Sequence, residues 1–305
     1  MVSKLIGSWA ALEVPKGCEI RFLVVENDTC ENTKRLIEDL AGIHPAITLD
    51  YAFEPEIGIP FARNAAARLA IAANSDWLVF VDDDEVLARD WLVKLADAFR
   101  KTNAVLIGAP LRVEHRFYGH GLVEKLMHEN IARRYARKER RAARKASLCT
   151  TPGVTIVTNN WAARTHLFTT EGIWFDESLR HTGGSDVQFY SDVVSRGLPT
   201  GWVADAFAYE SIPRERLSIR YQFRRGRDQA TANFRRKFRK NPKKLRSLVI
   251  ILPIRLLLTV VAAVSVPLTG GRTLLTFCRS AGWVVGKMQA VLGRDSKLYF
   301  EVTGN

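Results

Sequence analysis

Apolar positions along the first 115 residues recur with two alternating periods. Leu5, Ile6, Trp9 and Leu12 fall on one helical face and predict an opening helix. An apolar run at residues 20–25 has the length of a strand, and residues 33–40 read as a short helix. A second strand is expected at 47–53, an alanine-rich helix at 61–73 and a third strand at 78–81, buried on both faces. Asp90 stands where it would cap a helix whose Trp91, Leu92, Leu95 and Phe99 form a buried stripe. Residues 104–113 return as a strand. This alternation predicts an α/β fold, a parallel sheet with helices on both faces.

The pattern then changes. Residues 122–147 read as a basic helix, and 154–161, 168–175 and 201–209 as strands and loops of an α+β second half. Residues 247–268 are apolar apart from Arg255, with Pro253 and Pro267 near the ends. A second apolar segment, 273–292, is interrupted by Arg279 and Lys287, which suits an interfacial or re-entrant helix better than a second span. The predicted organisation is a domain over 1–213, divided at 114/115, then a basic connector over 214–246 and a membrane-associating helical tail over 247–305.

Composition adjusts this picture in two places. With 305 residues and 47% hydrophobic content the chain can bury a full core. The net charge of +13 is concentrated: Arg133 to Lys145 holds eight basic residues and one acid, and Arg220 to Arg246 holds twelve and one. The remainder is slightly acidic, so two cationic segments sit on an ordinary body. The first has one aromatic, Tyr135, and no helix-turn-helix, zinc or RNA-recognition pattern. The second adjoins the apolar tail, which favours an anionic membrane surface over nucleic acid. Cys18, Cys30, Cys149 and Cys278 lie far apart with no CxxC pair, which argues against a disulfide scaffold or zinc site and fits a reducing compartment. Residues 1–15 lack the long apolar core of a cleavable signal peptide.

The candidate chemistry centres on Phe80 to Glu85, FVDDDE, where an apolar strand runs into Asp82, Asp83 and Asp84. Ligands of open α/β sheets bind at the carboxyl ends of strands. Adjacent like charges are tolerated best beside a cation, and hard oxygen ligands suit Mg²⁺ or Mn²⁺, which favour a diphosphate as a further ligand. Glu26, Asn27 and Asp28 end an earlier strand, where they are placed to hydrogen-bond a base or ribose. Gly58 permits a tight turn before the helix bearing Arg63 and Asn64, and the planar arginine fork suits a phosphate. Gly183 and Gly184 let the chain turn sharply at Ser185 and Asp186, presenting a carboxylate or capping a helix.

In order, VVEND, EPEIGIPFARN, FVDDDE, TNN and GGSD resemble the family 2 glycosyltransferases of the GT-A fold, especially bacterial exopolysaccharide enzymes of the succinoglycan type. The resemblance covers about residues 5–226. It implies an inverting transfer of a sugar from a nucleotide diphosphate donor, UDP-linked, to a polyprenyl-linked saccharide, and the basic run ending at Arg246 places the nucleotide-binding half at the cytoplasmic face of the bacterial inner membrane by the positive-inside rule. Asp82 and Asp84 match the ends of the DxD pattern and so the metal site, with Asp82 or Asp83 toward ribose or a metal-bound water. Glu26, Asn27, Asp28, Gly58, Arg63 and Asn64 match the donor pocket. Asp186 matches the general base, although the family's commoner residue before it is Glu rather than Ser185. Asn160, Trp161, Gly184 and Ser185 match the acceptor side. The family also opens with a strand ahead of the first helix, and this sequence begins at that helix, so an upstream start encoding that strand is expected. Two other readings remain open at this point. FVDDDEVL also fits a haloacid-dehalogenase-type phosphatase with Asp82 as nucleophile and Asp84 as acid, and the basic runs fit a nucleic-acid-binding protein.

Overall fold

The computed structural model describes residues 1–117, 119–148, 153–156, 159–180, 183–240 and 244–292. Cys149, Thr158 of the TNN motif, and parts of the expected 154–161 strand, the connector and the tail lie outside these residues. The chain divides into two compact units: Met1–Glu114, Tyr135–Arg180 and Gly184–Ser211 form the first, and His115–Arg134, His181–Gly183 and Ile212–Asn305 the second.

In the first unit the helical stripes become core contacts. The elements run α1 (Val2–Ala10), β1 (Phe22–Glu26), α2 (Lys34–Ile43), β2 (Leu49–Phe53), α3 (Ile59–Ala72), β3 (Trp77–Phe80), β4 (Glu85–Leu87), α4 (Trp91–Lys101), β5 (Leu106–Gly108) and β6 (Leu111–Val113). Leu5, Ile6 and Trp9 of α1 join Trp91, Leu92 and Leu95 of α4 in one buried cluster, as their spacing predicts. Then come α5 (Leu122–Leu148), which belongs to this unit from Tyr135 onward, β7 (Trp161–Arg164), α6 (His166–Thr169), α7 (Ser185–Ser195), β8 (Thr200–Trp202) and β9 (Ala208–Glu210).

The sheets are mixed, which corrects the all-parallel expectation. β1 and β2 pair in parallel as a two-stranded sheet. A four-stranded sheet has the order β3-β7-β5-β8, with β7 antiparallel to both neighbours and β5 parallel to β8. A three-stranded sheet, β4-β9-β6, follows the carboxylate turn. β3 is half-buried rather than buried on both faces, being an edge strand of its sheet. The expected 104–113 strand is two strands in different sheets, broken at Ala109 and Pro110, because Pro110 has no amide to give a ladder. Residues 168–175 are not a strand: their first residues close α6, and Phe168 and Phe175 point into an aromatic cluster.

The second unit contains α8 (Ile219–Lys240), α9 (Lys244–Leu268) and α10 (Leu274–Val291). Its α8 and α10 touch backbone to backbone, and glycine is required there. A Cβ on Gly282 would collide with the Phe223 carbonyl, and one on Gly286 with the Arg227 carbonyl. Thr231 Oγ1 donates to the Gly286 carbonyl (3.0 Å), and Arg279 Nε to Gln222 Oε1 (2.9 Å). Residues 115–134 group with these helices rather than with the first unit, and Asn130 Nδ2 donates to the Gly271 carbonyl at 2.9 Å.

Candidate active site

Aromatic packing positions the charged groups. Phe80, two residues before Asp82, stacks on Trp161 at 4.6 Å. Trp161 meets Phe189 of α7 at 5.5 Å, and Phe189 stacks on Phe175 at 4.5 Å. Phe189 lies one turn after Asp186 on the same helix, so a single cluster fixes the end of β3 and the start of α7. Asn64 ties α3 to that cluster: its side chain accepts from the Phe175 amide (3.1 Å) and donates to the Phe175 carbonyl (3.0 Å) and Glu177 Oε1 (2.8 Å).

Arg63 emerges from the same turn of α3. It is largely buried, its guanidinium lies 5.5 Å from the Phe175 ring, and it forms an ion pair with Asp186. Its Nη2 is also 4.0 Å from Asp82 Oδ1. One cation therefore stands between the carboxylate at the end of β3 and the carboxylate at the start of α7. Asp186 is reached through Gly183 and Gly184, at φ +67° and +94°, values that favour glycine at both positions. Asp186 in the first turn of α7 also benefits from the positive end of the helix.

The carboxylate turn is held by its own backbone. The Glu85 amide donates to the Asp82 carbonyl (3.2 Å), and the Ser211 amide to the Asp84 carbonyl (2.8 Å). Asp83 is exposed, Asp82 partly so, and Asp84 is 8% exposed. Among the described residues no three His, Cys, Asp or Glu side chains converge as a complete cation site. Two carboxylates on one turn nevertheless fit Mg²⁺ or Mn²⁺, because such ions take one or two carboxylates and complete their shell with substrate phosphate and water.

Beneath the turn lies a residue that sequence alone does not single out. Glu85, the first residue of β4, is 1% exposed, and its Oε2 accepts the Asp82 amide at 3.3 Å. Burial, followed by the Asp82 charge, pushes its carboxyl well above the usual range. Opposite it in the ladder stands Glu210, also buried, whose Oε2 accepts from the Tyr135 hydroxyl. The legible signal is a fourth acid directly after DDD, at the inward-facing parity shared with Leu87.

The expected donor loop is built, with most of its polar atoms used internally. Asn27 Nδ2 donates to the Glu54 and Glu56 carbonyls (2.9 and 2.8 Å), and its Oδ1 accepts from the Gly58 amide (2.8 Å). Gly58 has φ +144°, and a Cβ there would lie 2.8 Å from Arg180 Cβ. Glu26 accepts from the Asn32 and Thr33 amides and from Tyr51 Oη. Burial raises its pKa, but these hydrogen bonds outweigh it and leave the carboxyl below its usual value. Asp28 is exposed and accepts from Thr29 and Asn32.

On the acceptor side three of the expected residues are buried. Asn160 is 0% exposed, and its amide is committed to Trp91 Nε1, the Pro110 carbonyl and the Ala206 carbonyl, each at 2.9 Å. Trp161 is 2% exposed inside the aromatic cluster. Ser185 is buried with its Oγ 3.5 Å from Asp186 Oδ1. Gly184, by contrast, is partly exposed.

The first unit is a mixed α/β fold with an aspartate turn after an edge strand, an arginine paired with a helix-borne carboxylate beside it, and its fold is of the GT-A glycosyltransferase class. The fold matches that of the mannosyltransferase PcManGT from Pyrobaculum calidifontis in complex with GDP-Man and Mn²⁺, with a TM-score of 0.61 and 17% identity over 96% of this chain and 84% of that one. S. aureus TarS 1–349 in complex with UDP-GlcNAc is similar at a TM-score of 0.50 and 16% identity, covering 96% of this chain and 88% of that one. The model of "Glycosyltransferase like family 2" matches residues 3–240, and the chain belongs to that family. It is 26% identical over 226 residues to the succinoglycan biosynthesis protein ExoM of Rhizobium meliloti, covering 73% of this chain and 67% of the relative. Family membership displaces the phosphatase and nucleic-acid-binding readings.

Proposed function

We propose that the enzyme transfers a sugar, with inversion, from a nucleotide diphosphate donor (UDP-linked) to a lipid-linked saccharide in bacterial surface or exopolysaccharide synthesis. The observation that carries this reading is Arg63, a largely buried guanidinium set between the Asp82 and Asp186 carboxylates. Similarity to a succinoglycan biosynthesis protein supports the exopolysaccharide setting. In this reading Asp186 accepts the proton of the acceptor hydroxyl as that oxygen attacks the anomeric carbon. The bond from that carbon to the diphosphate oxygen breaks on the opposite face. Arg63 pairs with the diphosphate through its planar fork, and moving its charge onto the phosphates releases Asp186 to act as base. A Mg²⁺ or Mn²⁺ held by Asp84 with Asp82 or Asp83 would neutralise charge developing on the leaving diphosphate. Glu26, Asn27 and Asp28 shape the pocket for base and ribose, the Asn27 bond to the Gly58 amide holds the loop that carries it, and Asn64 anchors the helix of Arg63 to Phe175.

The setting is the cytoplasmic face of the bacterial inner membrane. Residues Leu248–Leu268 of α9 are long and apolar enough to cross a bilayer, and most of this segment is unburied. The basic stretch before it suits anionic headgroups.

The test is a panel of nucleotide sugars with Mn²⁺ and lipid-linked acceptors, read as released nucleoside diphosphate. One donor should support turnover in the parent. Asp186→Asn should lower turnover by about 10²-fold or more with nucleotide affinity retained. Affinity falling in parallel with turnover would mean that Asp186 serves α7 and not the proton.

A further inference from the structure

We propose that Glu85 is a positioning residue for the donor site: it sets the conformation of the Asp82–Asp84 turn from below, through the Asp82 amide. The inference rests on the donor reading above and adds a residue to it. Three observations converge on Glu85. Its Oε2 accepts the Asp82 amide, while its own amide donates to the Asp82 carbonyl, so one residue closes the turn from both its backbone and its side chain. The side chain is almost fully enclosed, and its second oxygen, Oε1, has no hydrogen-bond partner. The partner position across the ladder is another buried carboxylate, Glu210.

A buried, half-satisfied carboxyl beside a second one is a poor choice for stability, since an apolar side chain of similar size would remove an orphaned polar atom. A residue of this kind in a native fold calls for an explanation other than packing. Position supplies one. Asp82 and Asp84 can present their carboxylates together only while the turn keeps its shape. The amide of Asp82 follows the end of β3 and donates to the buried Glu85 carboxyl. Glu85 touches neither donor nor acceptor in this account and acts entirely through the turn.

The substitutions Glu85→Gln and Glu85→Leu separate this role from a structural one. Glutamine keeps an acceptor for the Asp82 amide, whereas leucine fills the space without one. Three measurements are made on the full-length protein: thermal unfolding, hydrogen exchange of the peptide containing Asp82, and binding of UDP and of GDP with Mn²⁺ present. The expected result for Glu85→Leu is a melting temperature at or above the parent's, at least tenfold faster exchange in that peptide, and at least tenfold weaker nucleotide binding. Glu85→Gln should stay within threefold of the parent in exchange and binding. Leucine matching the parent in exchange and binding would overturn the proposal. So would a glutamine variant as impaired as leucine, or a loss of melting temperature that tracks the loss of binding. A parent that binds neither nucleotide would refute the donor reading instead, and the exchange comparison would still decide whether Glu85 holds the turn.

Discussion

Glu26 illustrates how residues at a strand end divide between ligand and scaffold. It ends β1, its two carboxyl oxygens collect the amides of Asn32 and Thr33 at the start of α2, and Tyr51 adds its hydroxyl. These bonds favour the ionised form and hold the folded pKa below the unfolded one. The stabilisation is therefore present above the unfolded value, near 4.5, and is lost as pH falls through the lower, folded value. Glu26→Gln should cost about 1–3 kcal/mol at neutral pH and flatten the acid limb of the stability profile. Urea unfolding at pH 7 and pH 4 checks this, and equal stability of the two proteins at pH 7 would contradict it. Sequence places Glu26, Asp82, Asp84 and Asp186 at or beside element ends, as found, because such positions follow from period and turn chemistry, whereas Arg63 falls one turn further into α3 than its spacing predicts. It does not reveal that Asn160, Trp161 and Ser185 are buried, since a strand or helix start does not announce which neighbour will cover it. Glu85 escapes for the opposite reason: an acid in an acidic run reads as solvated until the pleat turns it inward.

Helices with a clear stripe emerge at the expected positions: α1, α3 and α4 lie within a few residues of their apolar spacing. Short strands are less legible, because their partners are remote. Nothing local tells residues 161–164 to enter between β3 and β5 in the antiparallel sense. Aromatics at 168 and 175 mimic a strand because they serve one cluster from two directions. At the other end, α9 is legible by composition and by its packing. Val249, Ile250, Leu257, Val264 and Leu268 are among its exposed side chains. Fourteen Leu, Ile and Val residues between Ser247 and Leu268 favour insertion by about 4–8 kcal/mol. Arg255 opposes it by about 2.5–3.5 kcal/mol if central. Its guanidinium lies 5.4 Å from the Trp283 ring, a contact that offsets part of this cost. The full-length protein should sediment with membranes after lysis and resist extraction by high salt. Recovery as a detergent-free soluble monomer would contradict the membrane proposal.

At the scale of the molecule, the change in composition after Arg246 marks the apolar tail, but the boundary of the second unit lies elsewhere. Residues 115–134 belong with the tail through contacts such as Asn130 to Gly271 and Glu124 to Arg214, whose partners are far apart in sequence. The proposed donor-side chemistry comes from four separated stretches of the first unit, 26–28, 58–64, 82–85 and 184–186, linked by the Asn27 bond to the Gly58 amide and by Arg63, which reaches Asp82 and Asp186. That gathering is the central claim: Asp82, Asp84, Arg63 and Asp186 form one donor site. The most direct measurement is anomalous diffraction from crystals soaked with Mn²⁺ and UDP, or GDP where UDP does not bind. The account predicts a manganese peak at coordination distance from the Asp84 carboxylate, with the diphosphate between that peak and Arg63. A nucleotide bound away from the Asp82–Asp84 turn, or a manganese peak with no ligand from it, would contradict the account.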